Sequence, residues 1–212
     1  MRTQSTSKDR VSREAAEEFL IQLYFGAGND YLALCLRRAY LDFNRTLHGF
    51  ASIKKSEQIR ARAEEKLLTG IRALSDLTGD RAEFDAWHRS VCTAVRKVFR
   101  DARFPKFSFG QAQKWVNMGL KYAYVMGDRR VPGLERWYSH AHLPVDNIIL
   151  ESLSYLDLPP LAVAWSRLDD YGIYLDLQNR FRGAFKPRDL LEVEFSMWME
   201  ARKKLPNSKS TL

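Results

Sequence analysis

The sequence has little cysteine and no recognisable metal-binding motif. Its two cysteines, Cys35 and Cys92, lack the CxxC spacing of zinc sites, and they form no disulfide framework. Both lie within apolar helical patterns, where a thiol is most often an inert core residue. We therefore expect neither a metal ion nor a structural disulfide.

The sequence also lacks any long hydrophobic run, so no segment is expected to span a bilayer. The N-terminal residues, MRTQSTSKDRVSREAAEEF, are polar and have no apolar signal-peptide core. Hydrophobic residues nevertheless make up 45% of the 212 residues and aromatic residues 12%, which excludes a disordered chain and suffices for a buried core. These features predict a cytoplasmic protein.

Strand-like alternation, internal repeats and low-complexity tracts are absent as well. Ala, Leu, Glu, Arg and Lys dominate the periodic segments, which predicts an all-α fold. We expect a disordered tail over 1–10, a single helical domain over 11–204 and a frayed tail over 205–212. The predicted helices cover about 12–25, 30–48, 54–77, 81–101, 109–126, 133–140, 145–156, 169–182 and 188–204.

Positive charge is concentrated in one stretch of the chain. The protein has a formal net charge of +8, and residues 96–130 hold nine Lys and Arg against two Asp. Clustered charge of this kind is typical of a surface that meets phosphates, while a solvated basic face is the ordinary alternative.

The same stretch has the layout of a helix–hairpin–helix module, at about 96–126. A basic helix is followed by the short segment FPKFSFG and by a second helix that begins GQAQKWVNMGLKYAY. The N-terminus of that second helix would present backbone N–H groups to a phosphate. The predicted nucleic-acid backbone contacts are Arg96, Lys97, Arg100, Arg103, Lys106, Gly110 and Lys121.

The hairpin, its lysine and the later LPVD step resemble the helix–hairpin–helix DNA glycosylases, most closely the archaeal-type 8-oxoguanine DNA glycosylases. In that family a Lys lies one turn into the helix after the hairpin, and an Asp follows a Pro-Val step at the head of a later helix. The corresponding residues here are Lys114 in FGQAQKWVNM and Asp146 in HLPVDNIIL. Glu194 and Trp198 in EVEFSMW match an acidic residue and a Trp that hold the excised base.

The resemblance implies a bifunctional N-glycosylase and abasic-site lyase that removes an oxidised purine from DNA. Lys114 would attack the sugar C1′ and form a Schiff base, and Asp146 would stabilise the sugar cation and help deprotonate the lysine. No cofactor, metal, membrane or obligatory protein partner is implied. The partner would be DNA, with RNA as an open alternative.

Plainer interpretations stay open for each of these residues. Lys114 is equally an ordinary polar residue on a core helix, and Lys121, two turns further on, is a rival nucleophile. Asp146 is equally a helix cap. His140 and His142 are interpreted as loop residues or phosphate contacts. For the protein as a whole, the alternatives are a non-catalytic nucleic-acid-binding protein and a helical protein-interaction module with a basic patch.

Tryptophans are the remaining candidates, because an extruded base needs aromatic walls. Trp137 and Trp165 join Trp198 in this group. For any single Trp, packing in the core is the commoner role.

Overall fold

A computed structural model describes residues 11–77, 79–154, 156 and 161–203 of the chain. These residues form helices and turns without any strand, so the predicted all-α class is confirmed. The predicted tails, 1–10 and 205–212, lie outside the described residues, and so does the proline-containing segment DLPP at 157–160. The α-helices are α1 (Arg13–Phe25), α2 (Tyr31–Phe43), α3 (Ser56–Leu74), α4 (Arg81–Asp101), α5 (Phe109–Met126), α6 (Asn147–Ser152), α7 (Tyr171–Phe185) and α8 (Leu190–Lys203).

Side-chain caps set where most of these helices begin. Ser12 accepts the Ala15 N–H at the start of α1, as its position in the sequence predicts. Ser108 and Gln111 form a reciprocal capping box at the start of α5, so each side chain bonds to the other residue's backbone N–H. Asp80 caps α4 by accepting the Ala82 and Glu83 N–H groups.

Three predicted helices differ in detail from the observed elements. The helix predicted over about 30–48 ends at Phe43, where the Thr46 hydroxyl donates to the Phe43 carbonyl and a short 3-10 turn follows. The helix predicted over 133–140 is a 3-10 helix at Glu135–His140. The helix predicted over 145–156 is the short α6. After Phe43, the Thr46 hydrogen bond and a tighter 3-10 turn replace the predicted α-helix. At Glu135–His140, the tighter 3-10 helix replaces it.

Helix α5 is the central element, and its apolar sequence explains its position. It packs against α2 and α4, and most of its side chains are buried. Gly119 lets α2 approach closely, because a Cβ there would lie 2.7 Å from a Leu36 methyl group. Trp115 donates from Nε1 to the Leu36 carbonyl at 2.8 Å, which fixes the same contact.

One hydrophobic cluster joins buried side chains from α2 through to α8. The largest fully buried residues include Trp115, Trp137, Tyr174 and Phe181. Within the described part of the chain, no helix is both long and apolar enough to cross a membrane.

Candidate active site

The structure brings Lys114 and Asp146 together. Lys114 Nζ lies 2.5 Å from Asp146 Oδ2, although the two residues are 32 positions apart in the chain. The Lys114 side chain is 6% exposed and that of Asp146 is 19% exposed. A buried ammonium group needs a partner to offset its lost hydration, and Asp146 is that partner. Such a pair can pass a proton from the amine to the carboxylate, and it therefore combines a nucleophile with a base.

Asp146 both caps a helix and pairs with Lys114. Its Oδ1 accepts the Ile149 N–H at 2.9 Å and caps α6, while its Oδ2 faces Lys114. The extended backbone of Asp146, at φ −150°, turns the chain from the preceding LPV segment into the helix. The cap holds the carboxylate in place, so capping and pairing with Lys114 are compatible roles.

A second ion pair lies two turns further along α5. Lys121 Nζ lies 2.5 Å from Glu194 Oε2 on α8, and both side chains are buried. The same ammonium group lies 5.1 Å from the Phe195 ring centre and 5.8 Å from that of Trp198, which is 46% exposed. Lys121 is therefore buried and paired, which corrects its prediction as a contact to the nucleic-acid backbone.

Asp42 on α2 interacts electrostatically with both Lys114 and Lys121, and the sequence analysis did not predict it. Its Oδ2 accepts from the Tyr122 hydroxyl at 2.8 Å. Burial raises the pKa of Asp42 above its ordinary value, and the Tyr122 hydrogen bond and the charges of Lys114, Arg38 and Lys121 oppose that rise. The available signal was that Asp42 is the sole acidic residue of α2, YLALCLRRAYLDF.

The N-terminus of α5 is closed by the chain itself. The Gly110 N–H donates to the Leu168 carbonyl at 2.8 Å, and the Phe109 N–H donates to Asp169 at 3.3 Å. The next two N–H groups of the helix bond to Ser108. All four donors are thereby satisfied, so the predicted phosphate contact at Gly110 is wrong in this structure.

Arg96 also differs from its prediction. Its guanidinium group forms an ion pair with Asp169, lies 3.8 Å from the Phe109 ring centre and is 6% exposed. Burial lowers the pKa of Arg96, and the charge of Asp169 opposes that change. Arg96 therefore joins α4 to the segment before α7 and does not face a phosphate.

The other predicted backbone contacts are accessible. Arg100, Arg103 and Lys106 are exposed at the end of α4 and in the turn that leads to α5. Lys97 is 72% exposed and pairs with Asp101 at 2.7 Å. Of the basic patch predicted here, these residues are the part available to a polyanion.

His142 lies in a loop segment, as predicted, but its side chain is buried, which corrects the alternative interpretation as a phosphate contact. Its Nδ1 lies 2.8 Å from the Tyr174 hydroxyl and its Nε2 lies 2.7 Å from Asp85 Oδ1. Burial lowers the pKa of His142 to about 4, with the Asp85 hydrogen bond acting in the opposite direction. His140 is half-buried. No group of three or more His, Cys, Asp or Glu in the described ranges could hold a metal ion.

The three candidate tryptophans have different surroundings. Trp137 is 1% exposed and Trp165 is 7% exposed, so both belong to the core. Trp198 alone among these three presents a substantial surface, and it lies beside the Lys121–Glu194 pair. It is the remaining candidate for an aromatic wall.

Comparison with known proteins adds no assignment. The chain matches no protein-family model, no curated protein and no solved structure.

Proposed function

We propose that this protein is a DNA glycosylase/lyase-like enzyme that removes a damaged base through Lys114 and Asp146. The observation that carries the proposal is the 2.5 Å contact between Lys114 Nζ and Asp146 Oδ2. These are the two residues that the resemblance to archaeal-type 8-oxoguanine DNA glycosylases selects. An oxidised purine is the substrate class that this resemblance favours.

The chemistry requires a neutral amine at Lys114. Transfer of its proton to Asp146 frees the nitrogen lone pair to attack C1′ as the glycosidic bond breaks and the base departs with the bonding electrons. The nitrogen now bound to C1′ loses a second proton to water, the C1′–O4′ bond breaks as O4′ takes up a proton, and a protonated Schiff base forms between Nζ and C1′. Removal of a C2′ proton breaks the C3′–O bond and cleaves the strand.

Further along α5 and on the surface, other groups suit this reaction. The exposed ring of Trp198, beside the buried Lys121–Glu194 pair, would stack on an extruded base. The exposed cations Arg100, Arg103 and Lys106 would bind the phosphate backbone in place of the closed α5 N-terminus.

A second candidate is a non-catalytic nucleic-acid-binding protein on the same scaffold. The observation that favours it is the low exposure of Lys114, whose side chain is 6% exposed and engaged by Asp146. The same exposed cations would then bind DNA or RNA without chemistry. A third candidate is a helical protein-interaction module in which the basic patch meets an acidic protein.

One assay separates these candidates. The full chain is incubated with borohydride and DNA duplexes that carry 8-oxoguanine, uracil or an abasic site. We expect a covalent complex with the wild type and with Lys66→Gln, a control variant at an exposed lysine of α3 outside the basic patch, and none with Lys114→Gln. Salt-sensitive binding without a complex on any duplex would establish the binding-only function. Absence of DNA affinity at moderate salt would leave the protein-interaction module.

A further inference from the structure

The segment 141–145, which leads to Asp146, is extended and buried, and no strand pairs with it among the residues that the structure describes. Ala141, His142, Leu143 and Val145 are each 2% exposed or less. Buried backbone N–H and C=O groups need hydrogen-bond partners, and an extended segment cannot bond to itself as a helix does. The partners of this segment must therefore come from other parts of the fold.

Two buried glutamine side chains supply partners to Leu143 and Val145, and Asn117 Nδ2 also donates to the Leu143 carbonyl at 3.4 Å. Gln178 on α7 accepts the Leu143 N–H at 3.0 Å and donates to the Leu143 carbonyl at 2.8 Å. Gln113 on α5 accepts the Val145 N–H at 3.2 Å and donates to the Val145 carbonyl at 2.9 Å. Each glutamine amide thus makes the paired hydrogen bonds that one residue of a neighbouring strand would make.

The Gln113 amide cannot exchange the positions of its nitrogen and oxygen without losing hydrogen bonds. Its oxygen also accepts from Asn117 Nδ2 at 2.9 Å, and its nitrogen also donates to the Gly110 carbonyl at 2.9 Å. Its two donors and two acceptor positions are therefore all occupied. Asn117 is fixed in turn by His88 and by the Tyr174 hydroxyl. A satisfied buried network of this kind is rigid.

The register of these contacts places Asp146. Gln113 bonds to Val145, and the next residue of each element, Lys114 and Asp146, form the ion pair, so both contacts span 32 positions. Two adjacent residues of α5 thus hold two adjacent residues of the extended segment. A shift of Val145 would move the Asp146 carboxylate away from the Lys114 amine.

We propose that Gln113 is a positioning residue, which sets the Asp146 carboxylate against the Lys114 amine through its paired hydrogen bonds to Val145. The inference deepens the proposed function and rests on it for its catalytic consequence. The placement of Asp146 itself is testable without any reaction. Misplacement of a reacting group by about 1 Å costs about 100-fold in rate, which is the loss we expect when Gln113 is replaced by an apolar side chain.

Gln111 offers a matched control on the same helix. It is also buried, and its amide donates to Thr46 and accepts the Ser108 N–H, but it does not contact the extended segment. Gln111→Met and Gln113→Met each remove one buried, hydrogen-bonded amide from α5. Only Gln113→Met removes the restraint on Val145.

Two readouts are measured on the folded full chain: mass-spectrometric labelling of Lys114 by reductive methylation, and the single-turnover rate of borohydride trapping on an abasic duplex. We expect Gln113→Met to raise Lys114 labelling as Asp146→Asn does, and to lower the trapping rate about 100-fold with unchanged DNA affinity. Gln111→Met should change neither readout. If Gln113→Met does not fold, Gln113→Glu replaces it, because it keeps the shape and loses both donated hydrogen bonds.

The outcomes separate the two proposals. Wild-type labelling in the Gln113 variant, or equal labelling changes in both Gln variants, overturns the positioning role. Absence of trapping by the wild type overturns the proposed function, while the labelling still decides whether Gln113 places Asp146. Trapping at the wild-type rate by the Gln113 variant, with the wild type active, overturns the catalytic consequence.

Discussion

Gly110 lies so close to Trp165 that a Cβ added to the glycine would be 1.7 Å from the Trp165 carbonyl oxygen. The segment before α7 therefore rests on the first turn of α5, at the end of the helix that carries Lys114. The contact is between backbone and backbone, so a flexible side chain cannot relieve a clash there.

The Gly110→Ala variant should therefore be strongly destabilised. Overpacking of a core costs about 1–3 kcal/mol and sometimes more, and we expect the upper part of that range or beyond because backbone atoms must move. Urea denaturation measures the change. Gly183→Ala in α7 is the matched control, since nothing lies within 4 Å of a Cβ there and alanine favours the helix by up to about 1 kcal/mol. Equal stability of the two variants would contradict the close contact.

The two buried histidines should make the protein less stable in mild acid. Burial lowers the pKa of His88 well below its ordinary value and that of His142 to about 4. Below about pH 6.5 the unfolded chain binds protons at these residues that the folded protein does not, so stability falls as the pH decreases. The maximal slope is about 1.4 kcal/mol per pH unit for each histidine.

Asp85 does not produce this decrease, because hydrogen bonds from His142 and Arg182 outweigh the effect of burial and hold the pKa of Asp85 at about 2. Its contribution to stability is present above about pH 4 and is lost only below that pH. Denaturation curves from pH 7 to pH 5 should show the slope, reduced in His142→Gln and retained in the exposed-residue variant His48→Gln. Constant stability of the wild type over that range would contradict the buried neutral histidines.

Arg96 and Arg100 should differ in their effect on DNA binding. Arg100 is exposed, and removal of one phosphate contact reduces the slope of log affinity against log salt by about 0.9. Arg100→Ala and Lys106→Ala should each show this change in a binding titration. Arg96→Met should leave the slope unchanged and lower the stability, because it removes the ion pair with Asp169. A reduced slope with Arg96→Met would place Arg96 at the interface after all.

Lys121 and Glu194 should behave as a coupled buried pair. Removal of one partner from such a pair costs about 3–5 kcal/mol, while replacement of both by apolar residues is often nearly neutral. We expect large losses in Lys121→Met and in Glu194→Leu, and recovery of most of the stability in the double variant. The exposed Lys97–Asp101 pair is the control, with an expected effect below about 1 kcal/mol. Additive losses in the double variant would show that the two side chains act independently.

Local signals in the sequence predicted most of the fold. Caps such as Ser12 and Ser108, together with the breaks between periodic segments, predict where the helices lie. The nearly continuous apolar pattern of α5 predicts its central position. These features depend on residues close together in the chain. Their physical basis is local hydrogen bonding and amphipathic periodicity.

The parts of the site that were missed depend on distant partners. The sequence alone predicts Arg96 as a phosphate contact because Asp169, which neutralises it, is 73 residues away. It predicts an anion contact at Gly110 because nothing local in the sequence places Leu168 against that glycine. Gln113 and Gln178, which bond to the 141–145 segment, are likewise distant from it in the chain. Lys114 and Asp146 were paired only through the resemblance to a known family, since their spacing alone does not predict contact.

Mapping of the residue that carries the trapped sugar tests the central claim most directly. The wild-type protein is trapped with borohydride on an abasic duplex, digested with a protease and sequenced by mass spectrometry. The Lys114–Asp146 pair predicts that the adduct is on Lys114, and that Asp146→Asn greatly reduces its yield. An adduct on Lys121 or another amine, or the absence of any adduct, would contradict the account.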